Sequence, residues 1–222
     1  MFGLALQGTN FAALISFLET QGAVQVLSSP RISTLNNQQA VLKVGTDEFF
    51  VTGVGASAFL DHALVGVASE IADGRAKYSL IVNADGGIID DLIVYRFDAE
   101  RFLIIANAGN RAAVSAALRE RVSGFDCELV DRSDEFALLA IQGPRAVEIL
   151  QRLTDAPLSE LKCYSIFESF VNGEHAYLAR TGYTGEDGFE ISVHASQATA
   201  LANALLALSS VQAIGLGARN SL

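Results

Sequence analysis

Apolar and polar positions alternate along most of this chain, and the period changes at only a few places. Residues 9–21, "TNFAALISFLETQ", repeat Phe11, Leu14, Ile15 and Leu18 at helical spacing, with Thr9 or Asn10 to cap the start and Gly22 to end it. "AVQVLSS", "RISTL", "QQAVLKVG" and "DEFFVTG" then alternate with period two, divided by Pro30 and Asn36-Asn37. They read as short strands with a hairpin at Asn36-Asn37, and Val24, Val26, Val41, Leu42 and Val44 are the side chains to be buried. From Gly55 the period becomes helical in "GASAFLDHALVG", with Phe59, Leu60 and Leu64 on one face.

"AKYSLIVNADGGIIDDLIVYRFDAERFLIIANAG" predicts a three-strand meander with turns at 83–87 and 98–101. "NRAAVSAALRERVSG" predicts a helix closed by Gly124. "FDCELVDRS" and "FALLAIQG" read as a strand pair, and Pro144 as the first helical residue of "RAVEILQRL". "KCYSIFESFV", "EHAYLARTGY" and "GFEISVH" are three more strands. "SQATALANALLAL" is a last helix, capped by Ser196. Two sheet-plus-helix units in succession predict an α+β fold of antiparallel sheets with covering helices.

The 222 residues suffice for a sizeable core, and half of them are hydrophobic. No apolar run reaches the length of a membrane span, and the start lacks a basic region and a cleavage site, so no membrane partner is expected. A net charge of −10 argues against nucleic acid, which selects a basic face. The two cysteines, Cys127 and Cys163, form no CxxC and the three histidines do not cluster, so neither metal nor disulfide is expected; reduced thiols imply a cytoplasmic location.

The candidate chemistry lies in "GGIIDDLIVY". Asp90 and Asp91 are neighbours on a strand, so they point to opposite faces, and an acid in an apolar run needs partners. On residues alone the pair caps an exposed strand end. Tyr78 reads as edge packing and Asn107 as a turn or helix cap leading into "GNR". "RTGYTGEDGFEIS" gathers Gly182, Gly185 and Gly188, which let backbone bend or approach a ligand, with Tyr183, which can stack a flat ring. Glu186-Asp187 reads as a solvated tip, and Gly143-Pro144 as a structural turn.

Two resemblances cover different parts of the chain. In residues 54–222, "AKYSLIVNADGGIIDDLIVY", "IANAGNR", "LLAIQGP", "RTGYTGEDGFEIS" and "GLGARNSL" occur in the order and spacing of the glycine cleavage system T-protein, an aminomethyltransferase, and this region resembles its folate-binding domain. Residues 10–53, with "VLSSPRISTLNNQQAVLKVG", resemble part of a secretin, the pore of pilus and type II secretion systems. Together they imply a hybrid with a secretin-like segment at 1–53 and a T-protein-like region at 54–222.

The T-protein resemblance implies one-carbon transfer from an aminomethyl group on a lipoylated H-protein carrier to tetrahydrofolate. It implies Asp90 as the catalytic residue, and Tyr78, Asp90, Leu92, Asn107, Tyr183, Glu190 and Arg219 as folate contacts. It places Asp90 toward the ligand and Asp91 away from it, with Tyr78 and Asn107 beside Asp90. Against the family pattern, Leu222 falls before a further β-rich domain and Asn220 stands where the family has Asp, so weak folate binding with little turnover is expected.

Overall fold

The computed structural model describes residues 40–41 and 46–215. The helix expected over 9–21, the Asn36-Asn37 hairpin and Arg219 lie outside them. Eleven strands are described: β1 (Ala40–Val41), β2 (Thr46–Thr52), β3 (Arg75–Val82), β4 (Ile88–Arg96), β5 (Arg101–Asn107), β6 (Glu128–Asp131), β7 (Phe136–Gln142), β8 (Ile166–Val171), β9 (Glu174–Ala179), β10 (Gly188–His194) and β11 (Ala213–Ile214). The described helices are α1 (Ala56–Ala63), α2 (Arg111–Arg121), α3 (Ala146–Leu150) and α4 (Ala198–Leu206). They form one five-stranded sheet in the order β3-β4-β5-β2-β6 and one six-stranded sheet in the order β11-β1-β7-β10-β9-β8. All pairings are antiparallel except β1 with β11. The α+β class is as expected.

Three apolar layers follow from strand alternation. On the outer face of the five-stranded sheet, Phe49, Val51, Leu92, Val94, Phe102 and Ile104 pack against Phe59 and Leu60 of α1 and Val114 and Leu118 of α2. On the outer face of the other sheet, Leu139, Ile141, Phe189, Ile191 and Val193 meet Ile149 and Leu150 of α3 and Leu201 and Leu205 of α4. Between the sheets, Ile93, Tyr95, Leu103 and Ile105 face Leu138, Ile166 and Ala179. Full burial of each large side chain stabilises by about 1.5–3 kcal/mol. The middle layer is the smallest of the three, and it is where polar side chains enter.

The meander forms with both expected turns. Asn83 closes the first through its carboxamide oxygen, which accepts from Asp85 N at 3.1 Å and Gly87 N at 2.6 Å, and Gly86 takes φ +80°. Three local expectations are corrected. β6 and β7 are not partners: β6 pairs β2 and β7 pairs β10, so the connection between them crosses from one sheet to the other. α3 begins at Ala146 behind Arg145, so Pro144 is not its first residue. Ser196 is not the cap of the last helix: it sits in a 3₁₀ turn before α4, where the His194 ring accepts its N–H.

β2 lies between β5 and β6, paired along its length to β5, so residues 46–52 belong to the interior of the five-stranded sheet. The seam placed at 53/54 therefore falls at the end of a built-in strand.

Candidate inter-sheet site

Alternation sorts the candidate residues before any contact is considered. On β4, Leu92 and Val94 face the helices while Ile93 and Tyr95 face the second sheet. Asp91 shares the parity of Ile93 and Tyr95; Asp90 shares that of Leu92. The register carries Tyr78 opposite Ile93 and Ile93 opposite Ile105, so Tyr78 also belongs to the inter-sheet face. Glu48 on β2 stands opposite Ile105 and completes that row. On the second sheet Phe189, Ile191 and Val193 point to the helices, which leaves Glu190 and Ser192 facing inward.

The two adjacent carboxylates have different environments. Asp90 is 3% exposed. Its Oδ2 accepts from Asn107 N at 3.0 Å, and its Oδ1 accepts from Asn107 Nδ2 at 3.0 Å and Asn110 Nδ2 at 2.6 Å. It thus ties the end of β5 to the 3₁₀ turn that leads into α2. Asp91 is partly exposed. Its Oδ2 accepts from the Tyr78 hydroxyl at 2.8 Å and its Oδ1 from Asn107 Nδ2 at 3.0 Å. The bond to Asp91 pushes the Tyr78 phenol above its ordinary pKa, because the carboxylate opposes a second negative charge. A bulge between Ile81 and Val82 offsets this end of the β3–β4 pairing.

Asp90, Asp91, Asn107 and Tyr78 therefore do come together, but Tyr78 reaches Asp91 rather than Asp90, and Asp91 is the acid that shares its face. The expected division of the pair, Asp90 toward the ligand and Asp91 away from it, depends on which face takes the ligand. The Leu92 side chain is 2% exposed among the helices, on the opposite face from Tyr78.

Glu190 lies across the gap, 4% exposed. Thr181 Oγ1 donates to Glu190 Oε2 at 2.6 Å, and the Tyr95 hydroxyl stands 3.3 Å from the same Thr181 oxygen. With the threonine proton engaged by Glu190, Tyr95 is the donor to Thr181. Burial and then the nearby Glu190 charge hold the Tyr95 phenol well above its usual pKa, so it remains a donor. Along β4, Asp91 and Tyr95 are four residues apart, about 13 Å, with Ile93 between them.

Tyr183 is 47% exposed in the segment joining β9 to β10. The glycines of that segment have a reason the sequence reading missed. A Cβ at Gly182 would stand 1.9 Å from Gln142 Oε1, and one at Gly188 2.5 Å from Ile141 O and from the Gln142 amide. Gln142, 3% exposed, donates to Thr181 O at 3.0 Å and accepts from Thr184 Oγ1 at 3.1 Å. Gly182 and Gly188 therefore admit Gln142; only Gly185, at φ +74°, serves the bend. Asp187 is not a solvated tip either, since Arg180 grips both of its oxygens, at 2.8 and 2.5 Å.

Glu48, Gln142 and Thr181 were absent from the expected site. A polar residue in an alternating strand reads as solvent-facing until a second sheet is known to cover it. Among the described residues no group of three or more His, Cys, Asp or Glu is placed to hold a metal.

The family model "GCVT N-terminal domain" matches residues 38–222, which includes the 38–53 stretch read as secretin-like. The chain is 47% identical over 178 residues to an aminomethyltransferase of Saccharopolyspora erythraea, covering 79% of this chain and 48% of that protein. It is 51% identical over 158 residues to one of Streptomyces avermitilis, covering 71% and 42%. The chain thus spans about half the length of the curated relatives it matches. The crystal structure of glycine cleavage system aminomethyltransferase T from Bartonella henselae superposes with a TM-score of 0.76 at 39% identity, over 84% of this chain and 50% of that one. Heterotetrameric sarcosine oxidase from Corynebacterium sp. U-96 shares the fold, with a TM-score of 0.59 at 18% identity over 79% of this chain and 85% of that one. Matched along residues 38–222 by its family model, the chain belongs to the GCVT N-terminal domain family.

Proposed function

We propose that the space between the two sheets binds the pterin of tetrahydrofolate and serves one-carbon transfer of the aminomethyltransferase type. The observation that carries this reading is the convergence of Tyr78, Asp91 and Asn107, from three adjacent strands, on the sheet face that also carries Tyr95, which is joined through Thr181 to the buried Glu190 of the second sheet. Glu190 suits the aminopyrimidinone edge, whose paired donors match a carboxylate. Tyr183 lies on the segment beside it and covers the ring. Asn107 steers Asp91.

Asp91, rather than Asp90, takes the catalytic role in this reading. Asp90 has both oxygens occupied by protein donors and is buried on the wrong face, whereas Asp91 is partly exposed on the right one. The aminomethyl carbon, carried on a thiol of the lipoyl arm of an H-protein, passes to tetrahydrofolate as a methylene bridging a pterin ring nitrogen and the adjacent side-chain amine nitrogen. The amine leaves as ammonia and the thiol is restored. Asp91 stabilises the cationic iminium-like carbon and accepts the proton released as the new C–N bond forms.

A secretin-type role for residues 10–53 is not part of this reading, because β2 is a central strand and 38–53 fall within the family match. Calorimetric titration with tetrahydrofolate, and turnover with aminomethylated carrier, test it. Asp91→Asn is expected to retain binding and lose turnover, and Glu190→Gln to lose binding. Turnover that survives Asp91→Asn and vanishes in a folded Asp90→Asn would return the role to Asp90.

A further inference from the structure

Glu48 is 0% exposed on the central strand β2, and no function above uses it. The Ser192 hydroxyl on β10 of the opposite sheet donates to its Oε1, while Oε2 has no hydrogen-bond partner. Resting on the reading of Glu190 as a ligand-binding carboxylate, we propose that Glu48 is a positioning residue: as a neutral carboxyl it ties β2 to β10 two residues from Glu190, and its ionisation weakens ligand binding.

The surroundings argue for the neutral form. From the turn after β6 Glu48 faces Arg132, from β4 Tyr95, from β9 Tyr177 and from β10 Ser192, which lies two residues after Glu190 on the same strand. Its strand neighbour across β5 is Ile105, which does not titrate. Arg132, the one cation in this set, is drawn away: it donates twice to Glu135, at 2.9 and 2.7 Å, and stacks over Phe50 and Phe136 at 5.2 and 4.9 Å. A buried carboxylate without a bonded cation and with one unpartnered oxygen is costly, so the proton is retained.

Burial, the largest influence, accordingly raises the pKa to about 7, against smaller lowering by Ser192 and Arg132. In the neutral form the carboxyl can itself donate to Ser192, leaving only a carbonyl-type oxygen unpartnered. When Glu48 ionises, its charge is unsolvated between the sheets and adds to that of Glu190. Both effects oppose a closed, ligand-filled gap. Ligand binding above neutrality therefore draws in a proton.

The experiment uses the full chain and three variants, Glu48→Gln, Ser192→Ala and Glu190→Gln. Wild-type affinity for tetrahydrofolate is expected to fall roughly tenfold or more between about pH 6 and about pH 8.5, with proton uptake detected by calorimetry in buffers of different ionisation enthalpy. Glu48→Gln should flatten the profile and abolish the uptake; equal slopes in the two proteins would overturn the proposal. Without ligand, the carbon-13 carboxyl resonance of Glu190 should show a step at the Glu48 midpoint that Glu48→Gln lacks. Absence of that step overturns the proposal whether or not the folate binds. Should Glu48→Gln not fold, Ser192→Ala must move the step to higher pH; an unmoved step overturns the proposal. Failure of the wild type to bind tetrahydrofolate, or binding unaffected by Glu190→Gln, refutes the proposed function instead.

Discussion

The two acids of the "DD" pair should separate cleanly when each is removed. Asp90→Ala leaves the Asn107 N–H and the Asn110 carboxamide without the acceptors that now stand at 3.0 and 2.6 Å, while the Asn107 carboxamide keeps Asp91. Hydrogen bonds to a charged group contribute about 1.5–3 kcal/mol each, and a buried orphaned donor costs about 1–3 kcal/mol. The two donors share one carboxylate, so the losses do not add in full; about 2–4 kcal/mol is the expected sum. Against a typical stability of about 5–15 kcal/mol this is a large fraction. It corresponds to a melting temperature lower by about 10 °C in a chain of this size. Asp91→Ala removes acceptors from a half-exposed Tyr78 and from the Asn107 carboxamide, which keeps Asp90. Water replaces what the phenol loses, and about 1 kcal/mol or less is expected. Urea denaturation followed by circular dichroism measures both, with tetrahydrofolate titration of each folded variant. Equal losses, or a larger loss for Asp91→Ala, would refute the assignment of Asp90 to structure and Asp91 to the ligand.

Glu48 holds its proton in the folded state to about pH 7 against an ordinary value of 4.5, so its contribution is fully present below about pH 4.5, declines from there to about pH 7 and is lost above it. That shift is worth about 3 kcal/mol, and Glu48→Gln should flatten this part of the stability–pH curve; parallel curves for wild type and variant would contradict the burial argument. Gly182→Ala should cost about 1–3 kcal/mol by displacing Gln142, and Gln142→Ala should rescue it. Gly188→Ala also meets the Ile141 carbonyl, which the same second change cannot move, so rescue of both by thermal denaturation would be inconsistent with these contacts. Thr181→Val keeps the shape but breaks the Tyr95–Thr181–Glu190 chain; about 2 kcal/mol of stability and roughly tenfold in folate affinity should be lost, and calorimetry showing unchanged affinity would remove Thr181 from the site.

Most elements were legible from the sequence because their causes are local. The meander at 75–107 was marked by alternation and by the Asn83 turn, and α1 and α2 by their apolar faces. The family motifs likewise pointed to the GCVT domain. Where an element went was not local. β6 and β7 are joined by a short turn that reads as a hairpin, yet each finds its partner in a different sheet. The 46–52 strand looked like the tail of another segment, and only its pairing with β5 and β6 makes it central. Alternation established that Asp90 and Asp91 face opposite ways, but both faces of this sheet are covered, one by helices and one by a second sheet. Nothing in the local pattern states which cover is the ligand side. The sequence therefore determined the strands, the turns and the pair of opposed acids. Strand pairing decided that Asp91 meets Tyr78 and that Gln142 occupies the space left by two glycines, and the packing of one sheet on the other decided that Glu48 is out of water, because burial is a property of what lies across the gap.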